Sequence, residues 1–158
     1  MRIIVVSDSH RRPERIAAAL HMAGRTDWLI HLGDGLSDLE APEVKPLLPS
    51  RILTVLGNND LGLDAPLMRI EFPIPGQKLI LAHGHTMGVR HSLIRLQYTA
   101  MEENATFALF GHTHYATNEV RGGVRLLNPG SVGELNKPSF AVLELKNGFL
   151  IPQIIPLQ

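Results

Sequence analysis

Short, dominantly apolar runs recur along the chain at Ile3 to Val6, Trp28 to Leu32, Ile52 to Leu56, Leu79 to Ala82 and Phe107 to Phe110. Rich in aliphatic and β-branched residues and without polar alternation, they predict strands covered on both faces. Between the first two lies Arg12 to Ala23, where Pro13 suits a first helical turn and Ile16, Ala17, Leu20 and Ala23 recur at helical spacing. Val89 to Asn104 has helical periodicity as well. Strand, helix and strand in alternation predict an α/β fold around a central sheet.

Beyond Gly111 the texture changes. Ala116 to Val120, Val124 to Asn128, Phe140 to Leu145 and Leu150 to Ile155 are short runs joined by Gly122-Gly123 and Asn147-Gly148. Such dipeptides favour tight hairpins, so this part is expected to be antiparallel. Ile70 to Ile74, ending at Pro75-Gly76, is expected to pair with Leu79 to Ala82. Leu36 to Pro49, with three prolines, reads as a loop holding at most a short helix.

At 158 residues and 44% hydrophobic content the chain suits one well-cored domain spanning 1–158. Lys plus Arg and Asp plus Glu each number 15, so no basic footprint for nucleic acid shows in the overall balance and no stable nucleic-acid partner is expected. Cysteine is absent, which removes thiolate metal sites and a cysteine nucleophile. Any metal must be held by oxygen and imidazole nitrogen. No apolar run approaches the roughly 20 residues that span a bilayer, and the first strand follows Met1 directly. A cytoplasmic protein with no membrane partner is expected.

The chemistry gathers where strands end. Asp8-Ser9-His10 follows the first strand, Gly33-Asp34-Gly35 the second, Gly57-Asn58-Asn59-Asp60 the third, His83-Gly84-His85 the fourth and Gly111-His112-Thr113-His114 the fifth. Each tripeptide alone reads equally as a turn. Their repetition matters, because ligands of α/β sheets bind outside the carboxyl ends of strands, where these loops can meet. Seven candidate ligands result: Asp8, His10, Asp34, Asn58, His83, His112 and His114. That is too many for one ion, whereas two cations sharing a carboxylate fit. Carboxylate and imidazole without thiolate suit Mn, Fe, Zn, Ni or Co rather than Ca or Mg. His21, His31 and His91 read as structural, and Arg11, Arg12 and Arg90 either steer an anion or are solvated charges.

These five motifs, in this order and with this spacing, resemble the calcineurin-like metallophosphoesterase superfamily, and in particular its branch of small, single-domain YfcE-type phosphodiesterases of bacteria and archaea. The resemblance runs from Met1 to about Ser131, since Asn128-Pro129-Gly130-Ser131 is similar to the family's closing loop. It implies a four-layer αββα sandwich of two packed mixed sheets flanked by helices. It implies that Asp8, His10 and His114 hold one metal, Asn58, His83 and His112 the other, and that Asp34 bridges, Mn being the first expectation. The activity implied is hydrolysis of small or nucleotide-like phosphodiesters by a metal-bridging hydroxide. The alternatives are a phosphomonoesterase and a non-catalytic metal-binding scaffold; relatives often form homodimers or homotetramers.

One position departs from many relatives, which carry His after the Asn of the third motif as a general acid oriented by the neighbouring Asp. Here Asn59 precedes Asp60, and an amide cannot give up a proton. General acid help is worth roughly 10²–10⁴-fold, so good leaving groups or another acid are expected. His85 is the candidate, as acid or as phosphate contact.

Overall fold

The structure is a computed structural model describing residues 1–158. In chain order its strands are β1 (Arg2–Val6), β2 (Trp28–His31), β3 (Arg51–Thr54), β4 (Met68–Ile74), β5 (Gln77–Ala82), β6 (Phe107–Phe110), β7 (Thr117–Arg121), β8 (Val124–Asn128), β9 (Ser139–Lys146) and β10 (Phe149–Pro156). Helix α1 spans Pro13–Ala23 and α2 spans Ile94–Glu102. The strands form two five-stranded sheets, ordered β10-β9-β1-β2-β3 and β4-β5-β6-β8-β7. Both are mixed: β1, β2 and β3 run parallel with β9 antiparallel to β1, and β5, β6 and β8 run parallel between antiparallel edges β4 and β7.

Side-chain alternation along the strands builds the layers. Ile3 and Val5 of β1 face the second sheet and pack with Ile30, Leu53, Leu81 and Leu109 in the core between the sheets. Ile4 and Val6 point the other way, onto Ile16 and Leu20 of α1 and Phe140 and Val142 of β9. Ile80, Ala108 and Phe110 cover the outer face of the second sheet beneath Leu96 and Ala100 of α2. The result is the expected αββα sandwich. No helix is long and apolar enough to cross a membrane.

Three expectations are corrected by this arrangement. The second helix begins at Ile94 rather than Val89, because Gly84 and Gly88 take left-handed backbone and the segment closes on itself, Val89 N–H bonding Gly84 O and His91 N–H bonding Gly88 O. Val89 still packs with the outer core, but from a turn. β3 is not covered on both faces: it is an edge strand with Arg51 and Ile52 exposed, the Arg51 guanidinium lying 4.2 Å over the Trp28 ring. The two late hairpins both form, yet they separate. β7-β8 joins the second sheet with β8 parallel to β6, while β9-β10 returns to the first sheet beside β1.

Leu81 is fully buried between the sheets, whereas Ile52 is 38% exposed at an edge. Leu81→Ala is expected to cost about 2–5 kcal/mol and Ile52→Ala less than about 1 kcal/mol. The difference is read from urea unfolding midpoints at constant m-value.

Candidate functional site

The parallel strands of the two sheets end at one edge of the sandwich and deliver their following residues there: Asp8 and His10 after β1, Asp34 after β2, Asn58 to Asp60 after β3, His83 and His85 after β5, and His112 and His114 after β6. The chain must turn sharply at each exit. Asp8, His10, Asp34, His112 and His114 all adopt left-handed backbone, with φ between 50° and 66°. That conformation is uncommon for residues with a Cβ and holds only where the surroundings over-determine it. Here the loops lock one another: Asp8 N–H bonds Gly33 O at 2.9 Å, His10 N–H bonds Asp34 O at 3.1 Å, and Gly133 N–H bonds Asp8 O at 3.2 Å.

At the centre lies the buried carboxylate of Asp8. Its Oδ2 accepts from the Ser7 hydroxyl at 2.5 Å and from His112 N–H at 3.1 Å. Its Oδ1 is buried and makes no hydrogen bond. Three imidazole nitrogens converge on that atom, His114 Nε2 at 3.2 Å, His10 Nε2 at 3.7 Å and His83 Nε2 at 4.0 Å. The tautomers follow from the opposite ring edges. His83 Nδ1 lies 2.7 Å from Leu32 O, an acceptor only, so Nδ1 donates and Nε2 of the neutral ring presents a lone pair to Asn58 Oδ1 at 3.2 Å and Asp34 Oδ2 at 3.5 Å. His114 Nδ1 likewise faces Glu134 Oε2 at 3.3 Å, leaving its Nε2 turned to His10 Nε2 at 3.2 Å.

Lone pairs thus face lone pairs in two groups that share Asp8: Asp8, His10 and His114, and Asp8, Asp34 and His83. A divalent cation in each group satisfies this donor set. Without one, protons must serve. The close contact with Asp8 raises the His114 pKa, and Asp34 and Asp8 raise that of His83 against its burial. Burial opposes ionisation of Asp8 and Asp34, yet the neighbouring imidazoles and hydrogen bonds hold both carboxyls below their usual value. The His112 ring stands edge-on to His83 with centroids 5.0 Å apart, outside the two tight groups; burial and the charges of His83 and Arg90 lower its pKa to about 4.

The third motif behaves differently from its description in relatives. Asn59 donates from its backbone to Asp34 Oδ1 at 2.7 Å and from its side-chain amide to Asp34 Oδ2 at 2.6 Å. Asp60 does not orient Asn59. Its oxygens accept the backbone N–H groups of Asp34, Gly35, Leu36 and Gly57 at 2.7–3.0 Å, tying the loops after β2 and β3 together. His85 opens a short 3-10 turn, its ring centroid 5.4 Å from that of His83 and 6.1 Å from that of His112. Its Nδ1 is buried without a partner, and burial followed by the charge of His83 lowers its pKa.

One supporting group, Glu134, carries no sequence signal, and His31 is structural as expected. Glu134 orients His114, and no periodic or motif signal marks it beyond its place shortly after the closing loop. His31, fully buried in β2, accepts Gly33 N–H at its Nδ1 and meets the Ser9 hydroxyl 3.3 Å from its Nε2; that hydroxyl in turn donates to Asp38 Oδ2 at 2.6 Å. Cavities open on both sides of the centre, one of about 930 Å3 beside His114 and one of about 510 Å3 beside His10, Asp34 and Asn59.

Known proteins resemble the chain in sequence and in fold. Residues 1–148 match the calcineurin-like phosphoesterase superfamily domain. The chain is 30% identical over 151 residues to the probable metallophosphoesterase YsnB of Bacillus subtilis, covering 93% of this chain and 86% of that protein. It is 26% identical to phosphodiesterase YfcE of Escherichia coli, covering 98% of this chain and 97% of that one. A predicted phosphoesterase from Streptococcus pneumoniae superposes with a TM-score of 0.79 at 27% identity, over 98% of this chain and 88% of that one. The chain belongs to the calcineurin-like phosphoesterase superfamily.

Two outcomes follow. Glu134→Gln weakens the hold on His114 and is expected to lower divalent-metal affinity by about 10–100-fold with the fold intact, read by metal titration. Burial lowers the His31 pKa from 6.5 to about 4, so between those values the unfolded chain binds a proton that the folded chain refuses. Stability of the metal-free protein should therefore fall by about 1–3 kcal/mol as pH drops through that window. Urea unfolding in a chelator measures this, and His31→Gln should remove that part of the pH dependence.

Proposed function

We propose that this protein is a phosphodiesterase that works with two divalent cations, Mn²⁺ first among the candidates. The observation that carries the reading is the buried, unbonded Asp8 Oδ1 with three imidazole nitrogens turned toward it. Asp8, His10 and His114 would hold one cation, and Asn58, His83 and His112 the other. Asp34 would serve both. Such ions supply Lewis acidity toward phosphate oxygens and a nucleophile from water at neutral pH.

The chain's own residues do the rest. Asn59 fixes both oxygens of Asp34, which positions that carboxylate for its shared role. His85, whose Nδ1 is buried without a partner beside His83, would contact the phosphate or serve as the acid, and burial, which lowers its pKa, favours the contact. Esters with good leaving groups are accordingly favoured. A diester rather than a monoester is supported by the cavities flanking the centre, one for each arm, together with the 26% identity to YfcE over nearly the whole of both chains. A scaffold reading has no missing ligand position to support it.

The test is elemental analysis combined with hydrolysis of bis-p-nitrophenyl phosphate after chelation and with added Mn²⁺. About two ions per chain and Mn²⁺-restored turnover are expected. Asp34→Asn is expected to lower kcat on the order of 10²–10³-fold with the unfolding midpoint little changed, as for loss of a group that sets transition-state electrostatics. A metal-filled protein that turns over no ester overturns the enzyme reading; full turnover by Asp34→Asn overturns the two-metal arrangement.

A further inference from the structure

The larger cavity, about 930 Å3, opens beside His114 and has the size of a pocket for an organic ligand. Its floor is apolar, with Val89, Leu93 and Phe110 among the lining residues. On the wall stands Tyr115, directly after the ligand His114 and 79% exposed. The local chain holds it in place: its N–H bonds Thr113 Oγ1 and its carbonyl accepts from Thr117 Oγ1, each at 3.2 Å. A large aromatic ring left in water at the mouth of an apolar cavity is a stacking surface without a partner.

The same wall carries two cations. Arg90 donates through Nε and Nη2 to His112 O at 3.3 and 3.2 Å, which anchors the guanidinium to a loop of the candidate metal centre and leaves Nη1 free. Lys137 lines the cavity further out. Neither is ion-paired with a carboxylate. The cavity's one acid, Glu134, is committed to His114 Nδ1 and to Leu135 N–H. On a chain with 15 cationic and 15 anionic side chains this cationic excess is local. Both side chains are therefore available to an anion carried by a ligand in this cavity.

We propose that this cavity binds one ester arm of the substrate, and that the arm carries both a planar ring and a second anionic group. The ring lies against Tyr115 and the anion is held by Arg90 and Lys137. The proposal rests on the phosphodiesterase reading above and names the class of diester it takes.

Two chromogenic esters with the same leaving group isolate the second anion: thymidine 5′-(p-nitrophenyl phosphate) and its 3′-phosphorylated counterpart. With the Mn²⁺-loaded protein, kcat/KM is expected to be about 10-fold higher for the 3′-phosphorylated ester, the scale of one charge-assisted contact. Lys137→Ala, remote from the candidate ligand loops, should bring that ratio close to one, as should Arg90→Ala. Tyr115→Ala should lower kcat/KM for both esters relative to methyl p-nitrophenyl phosphate, and Tyr115→Phe should restore it. A ratio near one in the unaltered protein, or one that survives both cation substitutions, overturns the proposal. If neither ester is cleaved, the phosphodiesterase reading fails, and calorimetry on the metal-loaded protein decides the cavity alone. Thymidine 3′,5′-bisphosphate binding about 10-fold more tightly than thymidine 5′-monophosphate, with the difference lost in Lys137→Ala, supports it; equal affinities overturn it.

Discussion

A carboxylate oxygen buried without a hydrogen bond is among the costlier features a fold can hold, because it has given up water and received no donor in return. Asp8 Oδ1 is such an atom. Around it the protein has placed imidazole edges whose other nitrogens are already engaged, so the inward edges carry lone pairs rather than protons. Apart from the Ser7, His112 and Asn59 donors to the two carboxylates, the groups that converge there are acceptors, and positive charge from outside the polypeptide, or protons borrowed at the expense of ordinary acid–base behaviour, balances the set. Contact with Asp8 raises the pKa of His114, and contact with Asp34 and Asp8 raises that of His83 against its burial.

Holding acceptors against acceptors demands a rigid frame. The frame comes from strands that end together and from loops that bond one another across the sandwich rather than within themselves. Asp60 shows the principle: its carboxylate gathers four backbone N–H groups from two loops, and so fixes the approach of Asp34 to Asn59. Close packing sets the residue types between. A Cβ at Gly57 would run into the Asp34 carboxylate, and one at Gly111 would meet the Ser7 hydroxyl that bonds Asp8. The left-handed turns at five candidate ligand positions are sustained by the same cross-bracing.

Much of this was legible in the sequence because two simple signals coincide. Unbroken apolar runs marked the parallel strands, and Asp, Asn or His at their ends marked where the side chains would meet. What was hidden depended on partners distant along the chain. Asn59 looked like the loss of an acid, and only the fold shows its amide clasping Asp34. Glu134 acts through a hydrogen bond to His114, 20 residues away in sequence, which no periodicity records. Tyr115, one aromatic in an otherwise polar turn, became notable only when the segments around Val89 and Lys137 enclosed a cavity with it. The helix start was misplaced for a local reason: a helical apolar rhythm continued through Val89, and left-handed Gly88 overrode it.

The return of β9 to the first sheet bears on how the protein comes into being. β1 pairs Ile3 with Leu143, and the loop carrying Asp8 is closed by Ser131, Val132 and Gly133. The motif at Asp8 therefore has its brace 123 residues further along the chain, at Ser131. Pairings of such long sequence separation are entropically late, since the intervening loop must close before any contact rewards it. Until those pairings close, the chain presents its acidic and imidazole side chains without the geometry that brings them together.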